Sequence, residues 1–318
     1  MKKHALLTLG TAVAGWTWLG NMMATHASPD VGDDLYPDIA YATHASWPAA
    51  EFFHGYFAAR SLHNANWWAQ FFHPTQAVYY DATLGEGFVS RPMIEMAFKE
   101  AAQGWPVNAT SYPLQILGDT TSAIVYYVNT PEMFGAEIRC ISAIDFLDDK
   151  VTRQVDYWDG RRNPVIASRS TDDKYPHDLG LDTVEQKAAS ELDRIANQLN
   201  TALSACDAKA ATALFSYDAV FEDITLRTRE EGQLAISRYL KRALPYLPYG
   251  PGASLRHVLG SIQGGGYEWQ TDGQSVRNGI TMLELNGSGS IIRLTTVWDG
   301  SRMSDSVIRT LAMLSIET

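Results

Sequence analysis

The pattern Trp-Asp-Gly-x-Arg occurs twice in this chain, beginning at Trp158 and at Trp298. The context repeats with it. Upstream of the first copy comes a helical pattern, then "FFHPTQAVYYDATLG", a second helical pattern and several strand-like runs. Upstream of the second comes a helical pattern, then "LFSYDAVFEDITLR", another helix and strand-like runs again. Asp81 precedes the first motif by nearly the same interval as Asp223 precedes the second. A chain written twice must bury the same apolar faces twice, and 318 residues are comfortable for two domains. The repeat therefore excludes most single-domain architectures and requires two copies of one.

Local signals define that architecture. In "SWPAAEFFHGYFAARSL" Ser46 is an N-cap and Pro48 occupies the first turn, with Phe52, Phe53, Tyr56 and Phe57 on one helical face. In "DTVEQKAASELDRIANQLNTALSACD" Thr183 and Gln186 fit a capping box, and Leu192, Ile195, Leu199 and Leu203 recur every three or four residues. Further helices are expected from Ser90 and from Thr228, the latter with Glu230 and Glu231 in its first turn. The runs "SAIVYYVN", "IRCISAIDFL", "VTRQVDYW", "GITMLEL" and "IIRLTTVW" read as strands, with "LDDK" and "NGSG" as hairpin turns. Helices first and a strand meander after them make each half an α+β domain. We place the domains at 45–162 and 183–314, with the aperiodic, polar stretch 163–182 as linker.

Composition narrows the partners. A net charge of -11 with no basic run argues against nucleic acid and anionic membranes. His54, His63 and His73 are too far apart in sequence to share one helix face as metal ligands. Residues 1–27 have the layout of a secretory signal peptide: Lys2 and Lys3, an apolar stretch, then a small-residue end at Thr25 to Ala27. A secreted or periplasmic protein is expected, with no membrane association after cleavage; an uncleaved anchor is the other reading. Cys140 and Cys206, the only cysteines, read as two free thiols or as one interdomain bridge.

The order helix, "F-x(8)-Y-x-D", helix, then strands ending in "dyWD" resembles the nuclear transport factor 2-like (NTF2-like) superfamily, in particular its SnoaL-like polyketide cyclase and ketosteroid isomerase branches. The resemblance covers both halves. It implies two tandem cone-shaped domains, each a curved antiparallel sheet wrapped around N-terminal helices, with an apolar small-molecule pocket inside and no cofactor. It also implies that the two domains pack on each other, and an oligomer is compatible with it. Matched residue by residue, the isomerase pattern puts Asp81 and Asp223 at the position of the catalytic base. Tyr56 falls at the oxyanion-binding tyrosine, where the second half has Leu199. The second oxyanion donor falls at Ser142 and Thr281. Removal of a proton beside a carbonyl needs a carboxylate base and a neutral donor in a dry cavity, the arrangement of the ketosteroid isomerases that these residues resemble. The resemblance thus nominates Asp81 as base and Tyr56 as donor, with Ser142, Asp223 and His54 lining pockets, for isomerisation, cyclisation or dehydration of a hydrophobic carbonyl compound. The alternative is a non-catalytic module that binds a ligand or assembles with a protein.

Overall fold

The computed structural model describes residues 35–184 and 187–316. The expected signal segment, 1–27, and Gln186 of the expected capping box lie outside them. The first half runs α1 (Trp47–Ser61), α2 (Ala65–Ala69), β1 (Val78–Asp81), β2 (Glu86–Phe88), α3 (Arg91–Ala102), β3 (Ser111–Gly118), β4 (Ser122–Asn129), α4 (Pro131–Phe134), β5 (Ile138–Leu147) and β6 (Lys150–Trp158). The second repeats it without the short fourth helix. It runs α5 (Ser190–Ser204), α6 (Ala208–Thr212), β7 (Phe215–Asp223), β8 (Thr228–Glu231), α7 (Gln233–Ala243), β9 (Ala253–Ser261), β10 (Gly264–Thr271), β11 (Asn278–Leu285) and β12 (Ile291–Trp298), and α8 (Asp305–Met313) closes the chain.

Each half has one six-stranded sheet, in the orders β2-β1-β6-β5-β4-β3 and β8-β7-β12-β11-β10-β9. Both sheets are mixed rather than wholly antiparallel: β1 runs parallel to β6, and β7 parallel to β12. The cause is connectivity. β1 and β7 enter before the meander and dock on its last strand, so a long connection separates the paired strands, as parallel pairing requires.

Three cores result. One lies within each half, built on Phe53, Tyr56, Phe57, Trp68 and Phe72 in the first and on Leu192, Ile195, Leu199, Phe221 and Trp269 in the second. A third joins the sheets, where Leu117, Ile124, Ile141, Val155 and Tyr157 meet Leu259, Ile280, Met282 and Val297. Every residue of β4 and of β11 is buried, because one face of each strand lines its own domain and the other covers its neighbour. That is why "SAIVYYVN" and "GITMLEL" are predominantly apolar without the strict alternation of a half-exposed strand.

Two boundaries differ from the sequence reading. The helix expected from Thr183 begins at Ser190, because the Ala189 N–H is committed to the Gly260 carbonyl at the sheet edge. The equivalent Ser46 N–H is likewise committed to Gly118. The segment from Thr228 is strand β8, and its helix starts at Gln233. Pairing with β7 outweighs the helical preference of Glu230 and Glu231. Both cysteines are free, Cys140 buried and Cys206 exposed.

Candidate functional site

The repeated motif is a structural clasp. At the end of β1, Asp81 Oδ1 accepts the N–H groups of Thr83 (2.9 Å) and Leu84 (2.7 Å), while Oδ2 accepts the Trp158 indole N–H at 2.8 Å. Thr83 Oγ1 donates to the Trp158 carbonyl and accepts from the Trp158 N–H. The second half repeats this: Asp223 accepts from the Leu226 N–H and from Trp298 Nε1, and Thr225 Oγ1 brackets the backbone of Trp298. Asp223 also accepts from the Tyr249 hydroxyl. Burial pushes Asp81 up to about 7 and Asp223 up to about 6, against the lowering effect of those donors.

The turns after the two tryptophans interlock. The Gly160 N–H donates to Asp299 at 3.2 Å. A Cβ on Gly160 would lie 2.9 Å from Asp299 Oδ1, and one on Gly300 would lie 2.8 Å from Asp159 Oδ1. Arg161 pairs with Asp159 and donates to the Thr225 carbonyl across the interface. Ser301 stands where the second half would need the matching arginine. Linker residue Arg169 takes that role, pairing with Asp299 and donating to the Thr83 carbonyl at 3.0 Å. Asp159 and Asp299 therefore serve the junction of the halves.

A different cluster exists in the first half alone. Asp156, on β6 two residues before Trp158, is 3% exposed. Its Oδ2 accepts the hydroxyls of Tyr79 (2.6 Å) and Tyr127 (2.7 Å); its Oδ1 accepts Ser142 Oγ and Gln154 Nε2 (2.9 Å). Gln154 Oε1 in turn accepts the Tyr56 hydroxyl at 2.8 Å. Burial, then the Asp156 charge, raises Tyr79 and Tyr127 well above the ordinary tyrosine range, so both remain neutral donors. Burial likewise raises Tyr56. Arg60 lies over the rings of Trp68 (5.5 Å) and Tyr127 (5.6 Å) and donates to Asn129, and its Nε has no hydrogen-bond partner among the described residues. Tyr79 stacks on Phe88 with ring centres 6.0 Å apart, and both rings are half-buried at the rim of the domain.

Matching the strand registers, the second half has Thr296 for Asp156, Leu294 for Gln154, Thr281 for Ser142 and Phe221 for Tyr79. On the helix, Leu199 and Leu203 replace Tyr56 and Arg60. The fold is built there without the charged cluster.

The sequence-nominated residues are thus distributed unevenly. Ser142 and Tyr56 belong to the Asp156 cluster, directly and through Gln154 respectively. Asp81 and Asp223 hold their tryptophans. His54 is exposed and meets the Tyr36 hydroxyl, with no share in the interior, because its place on α1 turns it away from the face that carries Phe53, Tyr56 and Phe57. Asp156, Tyr79, Tyr127 and Gln154 went unnominated. The alternation in "QVDYW" was the signal for Gln154 and Asp156, since they share one strand face with Trp158; Tyr79 and Tyr127 lie on other strands. Among the described residues no cluster of His, Cys, Asp and Glu is arranged to hold a metal ion.

No protein-family model matches the sequence, and no curated protein matches it. Its structural neighbours include NTF2-like, SnoaL-like and steroid-isomerase proteins. One is an uncharacterized protein with a cystatin-like fold from Silicibacter pomeroyi, at 15% identity and TM-score 0.33, covering 40% of this chain and 85% of that one. A SnoaL-like protein of unknown function from Burkholderia thailandensis matches at 11% identity and TM-score 0.31, over 35% of this chain and 97% of that one. A steroid delta-isomerase from Pseudomonas aeruginosa matches at 14% identity and TM-score 0.31, over 40% of this chain and 90% of that one.

Proposed function

We propose that the first domain binds a small hydrophobic molecule through a carbonyl or hydroxyl oxygen and performs cofactor-free acid/base chemistry on it, while the second domain is its structural support. One observation carries this reading: Asp156, with its tyrosine, serine and glutamine donors, is buried in the first domain and replaced by apolar residues and threonines in the second. A feature the fold dispenses with in one copy is retained in the other for a reason besides folding. A buried carboxylate is expensive to hold, and here it sits among groups that suit the proposed chemistry. Asp156 is the base; Tyr79, neutral and at the rim, is the donor that turns from Asp156 to the oxygen where charge develops. Asp81, whose oxygens are held by two backbone N–H groups and Trp158, acts through that indole in positioning β6. Export, as the N-terminal sequence leads one to expect, would place this chemistry outside the cytoplasm.

The test is deuterium exchange from solvent at the carbons beside the carbonyl of cyclohexanone-type ketones, followed by NMR. Exchange above background is expected with the native chain and should fall at least about 100-fold in Asp156→Asn, with Asp223→Asn retaining it. Equal exchange in native protein and Asp156→Asn refutes the assignment. A packed, non-catalytic binding domain is the second reading, favoured by the dense ring contacts of Phe52, Tyr56, Trp68 and Phe71; saturable ligand binding without exchange would select it.

A further inference from the structure

The junction of the halves contains two pseudo-equivalent seams, and among the described residues only one is filled. In the first, Asp145 opposes Arg153 across β5 and β6, and His257 opposes Glu268 across β9 and β10. In the second the same register positions hold Glu284 opposite Arg293 and Gln115 opposite Tyr126. The contacts correspond. His257 reaches across to Asp145 (2.8 Å), as Gln115 reaches across to Glu284. Arg153 pairs with Asp145 through Nη1 and Arg293 with Glu284 through Nε, at 3.2 Å in each case, and Arg293 Nη1 also lies 3.5 Å from Glu222.

The linker plugs the first seam. Arg153 Nε donates to the Leu179 carbonyl at 2.8 Å, and Arg256 donates to the carbonyls of His177 and Asp178. The Leu179 side chain is 0% exposed within the core between the sheets. At the second seam lies a cleft of about 420 Å³. Leu114, Tyr126 and Ile292 form apolar walls and Tyr41 stands at the side. Arg293 and Glu284 supply the polar end, and the Arg293 side chain is 30% exposed where that of Arg153 is 0%. The volume lies in the range of small-ligand sites.

The plugged seam shows what this geometry accepts. We infer that the open seam binds a ligand presenting a branched aliphatic group beside an amide or ester carbonyl. The aliphatic group lies against Leu114, Tyr126 and Ile292, and the carbonyl oxygen accepts from a terminal guanidinium nitrogen of Arg293, whose Nε is turned to Glu284, where Leu179 accepts from Arg153 Nε. Glu284, contacted by Gln115, Arg293 and His44, anchors the guanidinium at the lining of the cleft. This site is distinct from the Asp156 cluster and independent of any activity there.

Titration calorimetry of the full chain with N-acetyl-leucinamide and with acetyl-His-Asp-Leu-Gly-amide tests it. Saturable binding is expected, weakened at least tenfold by Ile292→Trp, which fills the cleft, and by Arg293→Gln, which removes the donor. Thermal midpoints of both variants report whether the fold is intact, and either variant alone suffices. Tighter binding of the peptide marks a chain segment as the natural occupant, and equal binding a free small molecule; both support the site. Absence of saturable binding for both probes, or native affinity in a folded Ile292→Trp, overturns it.

Discussion

Asp81 makes the stability of this protein depend on pH in an unusual direction. In the unfolded chain its carboxyl ionises near 3.9; in the fold burial holds the proton until about 7. Between those values the native state binds more protons than the unfolded state, so stability falls as pH rises from about 4 to about 7 and then levels off. A difference of about three pKa steps corresponds to about 4 kcal/mol at full effect. Asp223, pushed up to about 6, adds a contribution of the same sign that ends earlier. The perturbation is Asp81→Asn. Its carbonyl oxygen still accepts from Thr83 and Leu84, but its amide would meet the Trp158 indole N–H donor to donor, at a cost of about 1–3 kcal/mol. Urea unfolding at pH 5 and at pH 8 measures both effects. The native protein should lose about 2–4 kcal/mol more than Asp81→Asn between those conditions. Equal pH dependence in the two proteins would refute the claim that Asp81 is a desolvated carboxylate in the clasp.

Three further outcomes follow from the junction and the thiols. Arg153→Met should destabilise the chain by about 3–5 kcal/mol in urea unfolding, because Asp145 and Glu268 are left buried without their cation; adding Glu268→Leu should recover part of that loss. Gly160→Ala should cost about 1–3 kcal/mol in thermal unfolding, since its methyl would press on Asp299 and Ile166, and Gly104→Ala, with nothing near its Cβ, serves as the neutral control. A thiol-reactive chromophore should label Cys206 in the native protein and reach the buried Cys140 only on unfolding, giving one thiol and then two.

The division between what was legible and what was not follows from the range of the interactions. The repeat, the apolar faces of α1 and α5 and the β-rich runs of β4 and β11 are local patterns, and they determined an α+β fold built twice; that β4 and β11 are buried on both faces came from the packing of the two halves. The alignment set Asp81 and Asp223 at matching positions, and both accept the indole N–H of their tryptophan, Trp158 and Trp298, a contact that sequence could not show. Residues far apart in sequence decided the rest. Asp156 meets Tyr79, Tyr127 and Ser142 only because β6 lies between β1 and β5, and Arg169 reaches Asp299 only because the linker folds back over the interface. The helix starts at Ser190 and the strand at Thr228 were likewise settled by sheet-edge hydrogen bonds that outweigh local propensity. The twice-written Trp-Asp-Gly turn could be read from the chain alone; that each glycine is required by the other copy's aspartate emerged only when the two halves faced each other, because close backbone approach is a property of two surfaces.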